Sequence, residues 1–245
     1  MQTWSIGVLC YNEAGSLAGV ISQLLEVVRQ LTHTFEIIIV DDCSTDGSRE
    51  IALKLQQDNA AVRVILHNTN KGIGEVLRTI YSNAQYENIG IVPGDGQFDT
   101  HEFLLFKEIP ANSFISYYRK ENTSYSIFRS FLSLFNKQLN ELFVGIKLKD
   151  VNWTKIYKSR DLDTLSLQLT SSLIESEICA KLLFIGRRVI EVESRYLPRV
   201  HGKSKGASLA TIFRALDDTW TLVRLTREFR LSKMAHELAI RHGEP

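Results

Sequence analysis

Apolar strand-like runs alternate with stretches of helical spacing along the first half of the chain, and this alternation restricts it to one architecture. Trp4–Leu9 and Phe35–Val40 read as short buried strands. Between them Leu17, Val20, Ile21, Leu24, Val28 and Leu31 recur at helical spacing, with Ser16 placed as an N-cap. Ile51 and Leu55 continue on a second helix, Val62–Leu66 on a strand, Val76, Leu77, Ile80 and Ala84 on a third helix, and Ile89–Val92 on a fourth strand. Strands alternating with helices pack as a doubly wound sheet with right-handed crossovers. The expected fold class is therefore α/β, with a mainly parallel central sheet flanked by helices.

In such a sheet ligands sit beyond the carboxyl ends of the strands, and those ends are polar and acidic here. The first strand runs into Tyr11-Asn12-Glu13, the second into Asp41-Asp42-Cys43-Ser44-Thr45-Asp46-Gly47-Ser48, and the fourth into Pro93-Gly94-Asp95-Gly96-Gln97-Phe98-Asp99. Turns and caps use these residue types, but capping does not call for adjacent acids at two different strand ends. Aspartates at the mouth of a sheet can hold a divalent ion, because hard oxygen ligands suit Mg²⁺ or Mn²⁺, and the ion in turn neutralises a diphosphate. Asp95, with the amide oxygen of Gln97 nearby, is the expected metal site. Glu13 and Asp42 cannot attract a phosphate, so hydrogen bonds to ribose hydroxyls or base edges are their expected use. Cations for the phosphates are offered by Arg199-Val200-His201-Gly202-Lys203-Ser204-Lys205, a glycine-containing loop with three fixed positive charges.

Lys and Arg total 29 against 28 Asp and Glu, a net charge of +1, so bulk charge leaves no footprint for nucleic acid. Cys10, Cys43 and Cys179 lie too far apart for a disulfide framework or a Cys-x-x-Cys motif, which fits a reducing cytosol. Nowhere do about 18 uncharged apolar residues run together, and no basic region precedes a long apolar stretch near Met1. The expected location is cytoplasmic, with peripheral contact at the inner face of a membrane left open.

Several nucleotide and hydrolase motifs are excluded by counting. Gly72-Ile73-Gly74 is followed by Leu77 where a dinucleotide fingerprint requires glycine. Gly202-Lys203-Ser204 resembles the end of a P-loop, but Leu197 holds the upstream glycine position. No Gly-x-Ser-x-Gly elbow and no His-Glu-x-x-His spacing occurs.

The ordered motifs Leu9-Cys10-Tyr11-Asn12-Glu13, Val40 to Ser48, Asn68-Thr69-Asn70-Lys71-Gly72-Ile73-Gly74 and Asp95-Gly96-Gln97-Phe98-Asp99 resemble family 2 glycosyltransferases of the GT-A, or nucleotide-diphospho-sugar transferase, fold. Within them the dolichol-phosphate mannose synthase-like branch is the most similar. The resemblance spans roughly residues 4–205. It implies a GT-A domain over 1–205, with a nucleotide-sugar-binding half at 1–110, an acceptor half at 111–205 and a C-terminal helical extension at 206–245. Donor binding is then expected from Tyr11, Glu13, Asp42, Gly94, Asp95, Arg199 and Lys205, the last two matching a late Arg-x-x-Gly-x-Ser-Lys motif that closes over the diphosphate. Arg119 and Arg129 resemble basic residues that face a lipid-phosphate acceptor, and the Asp150–Tyr157 segment, Lys155 included, resembles one that lines the acceptor side.

The implied reaction is attack of an acceptor oxygen on the anomeric carbon of a nucleotide-activated sugar, with inversion and a divalent metal at Asp95. A polyprenyl phosphate acceptor is already ionised and needs only orientation, by Arg119 and Arg129. A hydroxyl acceptor needs a base, for which Asp150 is the candidate. Two departures stand out: Leu9 replaces a usual proline, and Pro93 stands where the first aspartate of the Asp-x-Asp motif belongs. Pro93 motivates the alternative of a degenerate, non-catalytic nucleotide-sugar-binding protein. A sugar nucleotidyltransferase would show a glycine-rich loop after the first strand, which Tyr11-Asn12-Glu13-Ala14-Gly15 is not.

Farther along, Ser113–Tyr117 and Val189–Val192 read as strands, and Ile127–Phe143 and Ser171–Leu183 as helices. In the segment Leu209–Leu231, Leu209, Ile212, Phe213, Leu216, Trp220 and Val223 recur at helical spacing, while Arg214, Arg224, Arg227 and Arg230 add positive charge. Such a helix lies on an anionic membrane surface, or packs on the domain or on a second subunit of a homo-oligomer.

Overall fold

The computed structural model of the chain describes residues 1–119, 141, 145–199 and 209–242, and the side chains of 218–234 within the last stretch. The elements in order are β1 (Trp4–Cys10), α1 (Leu17–Leu31), β2 (Phe35–Asp41), α2 (Ser48–Asp58), β3 (Val62–Leu66), α3 (Ile73–Asn83) and β4 (Asn88–Pro93). A 3₁₀ helix (Thr100–Leu105) follows, then β5 (Ser113–Arg119), β6 (Lys155–Lys158), α4 (Ser159–Asp163), α5 (Ile174–Phe184), β7 (Arg188–Ser194) and α6 (Leu209–His242). The expected helix over 127–143 lies outside the described residues.

One seven-stranded sheet runs in the order β3-β2-β1-β4-β6-β5-β7. β1 pairs in parallel with β2 and β4, and β5 with β7, whereas β6 is antiparallel to both of its neighbours. Strands covered on both faces must be apolar at every position rather than at alternate ones. β2 obeys this: Ile38 and Val40 enter the cluster containing Ile80, Tyr157 and Ile178, and Ile37 and Ile39 enter the opposite one with Leu24, Phe103 and Ile156. The helices thus sort by face, with α3 and α5 on one side and α1 with the 3₁₀ helix on the other. Leu222 and Leu225 of α6 join the first cluster, so the last helix packs on the domain.

β6 answers no alternating apolar signal, since Lys155 and Lys158 are both buried within its four residues. Their charges are satisfied locally. The Lys155 ammonium donates to the carbonyls of Val151 at 2.5 Å and Trp153 at 2.9 Å, and Lys158 pairs with Glu87 at 2.7 Å. Behind β6, Tyr81 and Tyr157 both donate to the buried Glu175. Burial holds both phenols well above their ordinary pKa, so they remain donors.

Helix α3 is pressed against the 167–171 loop. Arg78 donates to the Leu167 carbonyl at 2.8 Å, and a Cβ on Gly74 would stand 2.0 Å from the Thr170 carbonyl oxygen. That obstacle is backbone and cannot swing away. Gly74→Ala is expected to destabilise the fold by about 2–3 kcal/mol, whereas Gly19→Ala, in an open position of α1, should be neutral or stabilise by up to about 1 kcal/mol. Urea denaturation of the two variants measures both.

Candidate active site

Parallel pairing brings three strand ends into step. Cys10 lies beside Asp41, and Leu9 beside both Val40 and Pro93, so the loops 11–16, 42–48 and 94–99 leave the same edge of the sheet. Hydrogen bonds then lock the first two loops together. Asn12 and Cys43 take left-handed backbone at φ 56° and 62°. The Asn12 N–H donates to Ser44 Oγ at 2.8 Å, Glu13 N–H to Ser48 Oγ at 2.7 Å and Ala14 N–H to Asp46 Oδ2 at 3.1 Å. Much of the Ser-Thr-Asp-Gly-Ser run therefore serves to hold Glu13 in place. Ser16 makes no side-chain cap on α1; its hydroxyl donates instead to the Gly94 carbonyl at 2.8 Å, tying the first loop to the third. Gly94 sits where a Cβ would be 2.6 Å from the Leu9 carbonyl oxygen, so only glycine lets the third loop lie this close to β1.

At this junction Arg199 joins the two halves of the chain. Its Nη2 lies 2.9 Å from Asp95 Oδ2 and 3.1 Å from Glu13 Oε1. The Gln97 N–H donates to Asp95 Oδ1 at 3.0 Å, orienting the carboxylate. Desolvation by burial pushes the Glu13 carboxyl up to about 7, with Asp95 adding repulsion and Arg199 opposing both. Glu13, Gly94, Asp95, Gln97 and Arg199 are thus brought together as expected neighbours.

Asp42 belongs one loop farther out. It is almost fully buried; Oδ1 meets His67 Nδ1 at 2.7 Å and accepts from Lys71 N–H at 2.9 Å, and Oδ2 accepts from Gly72 N–H at 2.8 Å. His67 continues through Nε2 to Thr79 Oγ1 at 3.0 Å. Asp42 therefore shapes the 67–72 loop. Tyr11 stands partly exposed at the end of β1.

The residues assigned to the acceptor side divide. Arg119 grips Asp150 with Nε to Oδ2 at 2.7 Å and Nη2 to Oδ1 at 3.2 Å, and Asp150 Oδ1 also accepts from Asn152 N–H at 3.1 Å. The Arg119 guanidinium lies over Trp153 at 4.7 Å and Tyr196 at 5.8 Å. Tyr196 in turn accepts from Gln97 Nε2 at 2.6 Å, so this group borders the 94–99 loop directly. Lys155 does not belong to it. Direct acceptor contact by Lys155 is corrected by its burial and its bonds to Val151 and Trp153, through which it fixes the turn carrying Asp150 and Trp153. Arg129 and Lys205 lie outside the described residues.

Tyr196, His67 and the true partner of Ser16 were not legible as candidate site residues, and Trp153 was marked only as part of the 150–157 segment. An aromatic residue in an irregular stretch carries no mark that separates a site wall from core, and the Tyr196–Gln97 bond spans 99 positions.

A mainly parallel sheet with these acidic loops at its strand ends is the GT-A architecture. Solved structures share it: S. aureus TarS 1–349 in complex with UDP-GlcNAc (TM-score 0.59, 17% identity, covering 93% of this chain and 66% of that one). The mannosyltransferase PcManGT from Pyrobaculum calidifontis, in complex with GDP-Man and Mn²⁺, is a second (TM-score 0.56, 14% identity, 97% of this chain and 80% of that one). Residues 5–158 match glycosyl transferase family 2, and the chain belongs to that family. Among curated relatives, the undecaprenyl-phosphate 4-deoxy-4-formamido-L-arabinose transferase of Aeromonas hydrophila subsp. hydrophila is 28% identical over 210 residues, covering 82% of this chain. The chain spans 62% of that relative's length.

The site's electrostatics make a prediction. A carboxyl whose folded pKa is raised from 4.5 to about 7 favours the fold while protonated, and that contribution is lost as pH rises from about 4.5 through 7. Glu13→Gln should flatten this part of the stability profile, gaining on the parent chain at pH 8 relative to pH 5. Thermal unfolding of both proteins across that range measures the difference.

Proposed function

We propose that this chain is a glycosyltransferase that moves a sugar from a nucleotide-diphosphate donor to a polyprenyl phosphate, with inversion at the anomeric carbon. The observation that carries the reading is the junction of Glu13, Asp95 and Arg199 at the carboxyl ends of β1 and β4, in a chain of this family.

The donor side fits a divalent ion. Among the described residues no group of three or more His, Cys, Asp or Glu side chains could hold a metal, but Mg²⁺ and Mn²⁺ commonly take one or two protein oxygens and complete their shell with substrate phosphates and water. The Asp95 carboxylate and the Gln97 Oε1, which accepts no hydrogen bond among the described residues, are such a pair. When bound, the ion would supply charge for the departing diphosphate. Arg199 would bind that same diphosphate, turning from the carboxylates to the phosphate oxygens as leaving-group charge develops; its pairing with Glu13 and Asp95 supports this reading. The Mn²⁺ held by PcManGT supports the choice.

The acceptor side favours a phosphate over a hydroxyl. Both Asp150 oxygens are engaged by Arg119, so Asp150 is committed as a partner of a cation rather than held ready for a proton. A phosphate acceptor arrives ionised and needs no base. Arg119, fixed on the faces of Trp153 and Tyr196, would orient it, with Arg129 as a second cation. The Aeromonas relative, named for undecaprenyl phosphate, supports this acceptor class. The functional division stays at a donor half over 1–110, an acceptor half over 111–205 and a helical extension over 206–245.

A second reading, a nucleotide-sugar-binding protein without turnover, is motivated by Pro93 in place of an acid. Thermal shift with UDP-, GDP- and dTDP-sugars, with and without Mn²⁺, followed by transfer to a polyprenyl phosphate, tests both. We expect a metal-dependent rise with one nucleotide, by linkage, and turnover that falls at least about a hundredfold in Asp95→Ala with the melting temperature of the free protein retained. Metal-dependent turnover at the parent rate in Asp95→Ala would refute the assignment. Donor binding without turnover, restored by Pro93→Asp, would establish the second reading.

A further inference from the structure

Helix α6 turns an unusual face outward. Leu222, Leu225 and Thr226 are buried against the domain, while Trp220 is 78% exposed, Leu231 57% and Met234 51%. Arg224 and Arg227 are exposed with them. At 100° per residue, Trp220, Arg224, Arg227, Leu231 and Met234 fall within an arc of about 80°, opposite the buried one. The stripe therefore interleaves three large apolar side chains with two guanidinium groups and contains no acid. Glu228, near Arg224 at 4.0 Å, lies off its edge. Among the described residues no helix is long and apolar enough to cross a membrane.

Beside the stripe lies an open groove of about 450 Å³ lined by Gly145, Leu183, Phe184, Arg230, Lys233 and Met234. Leu183, Phe184 and Met234 give it apolar surface and Arg230 and Lys233 give it positive charge, with the Arg230 guanidinium 5.6 Å from the Phe184 ring centroid. Met234 belongs to both features, so stripe and groove form one continuous surface.

We propose that this face of α6 docks on an anionic lipid surface, with Trp220, Leu231 and Met234 entering the interface, Arg224 and Arg227 meeting lipid phosphates, and the groove receiving one lipid. The chemistry matches on each count. Tryptophan favours the boundary between headgroup and chain, arginine stems lie along apolar surface while their heads reach phosphate, and a lipid needs apolar surface for its chain beside cations for its phosphate. A second copy of the chain fits less well, because two such stripes packed face to face would oppose arginines to arginines with no acid between them. The inference does not depend on which acceptor the enzyme uses.

The test is co-sedimentation of the full chain with phosphatidylcholine vesicles, with and without phosphatidylglycerol, together with tryptophan emission. We expect binding only to the anionic vesicles, weakened by salt, with a blue shift of the emission that is absent in Trp220→Phe. Arg224→Gln/Arg227→Gln should bind about 25-fold more weakly, taking roughly fivefold per charge, with its melting temperature unchanged. Failure to bind anionic vesicles at low salt, or equal binding by the double variant, would overturn the proposal. So would a concentration-dependent dimer that shields Trp220 from iodide quenching and is lost in Trp220→Ser, since the occupant would then be a second copy.

Discussion

The in-step ending of β1, β2 and β4 is the constraint on which the site depends. A parallel ladder permits this because each strand enters from the same side, and the crossover helices carry the chain back across the faces. Once Leu9 and Pro93 are paired, Gly94 must lie against β1, and the Ser16 hydroxyl can reach its carbonyl. Glu13 and Asp95, 82 positions apart in the chain, then come close enough to share one guanidinium. None of these contacts has an independent local cause; each follows from the register.

That shared guanidinium also links the first half of the chain to the last part of its second half. The Leu197 N–H donates to the Gln97 carbonyl at 2.9 Å, and Tyr196 bridges to Phe98, so the segment carrying Arg199 is laid against the 94–98 loop by backbone before any charge is counted. Tyr196 then reaches Gln97 on one side and Trp153 and Arg119 on the other. A change on the donor loop is thereby in direct contact with the group assigned to the acceptor. The proposed donor and acceptor sides thus share a wall of aromatic rings rather than standing apart.

The strands and helices of the first half were legible because burial on both faces of a parallel sheet demands unbroken apolar runs, as in Phe35–Val40, and because α1 keeps a regular apolar stripe. The acidic loops were legible as a candidate site because acids gathered at adjacent strand ends exceed what turns and caps call for, although Asp42 and Asp46 brace the loops themselves. What escaped has a physical reason in each case. Lys155 looks like a surface cation until its ammonium is seen between two carbonyls of its own turn. Ser16 stands in cap position, yet its hydroxyl finds a better acceptor across the site. His67 acts only through the fold, which sets it between Asp42 and Thr79. The second half mixes an antiparallel strand of four residues into the sheet, and so short a segment has no period to read.

Pro93 can be weighed in the same terms. As the last residue of β4 it costs the ladder little, since strand ends tolerate a missing N–H and Gly94 resumes the bonding to Leu9 at 2.9 Å. The electrostatic effect is larger. Glu13 and Asp95 together oppose one arginine, and the Glu13 carboxyl, raised to about 7, is already only partly ionised near neutral pH. A third carboxylate here would raise that repulsion further, and would set still more negative charge beside an incoming diphosphate. Proline thus keeps one carboxylate away from Asp95 and Gln97, the proposed metal pair, and leaves a cluster close to neutral with Arg199 in place. On the proposed reading, a dication and a diphosphate would enter such a cluster together at low electrostatic cost, and the arginine they displace from the carboxylates would meet the phosphate from the same loop pair.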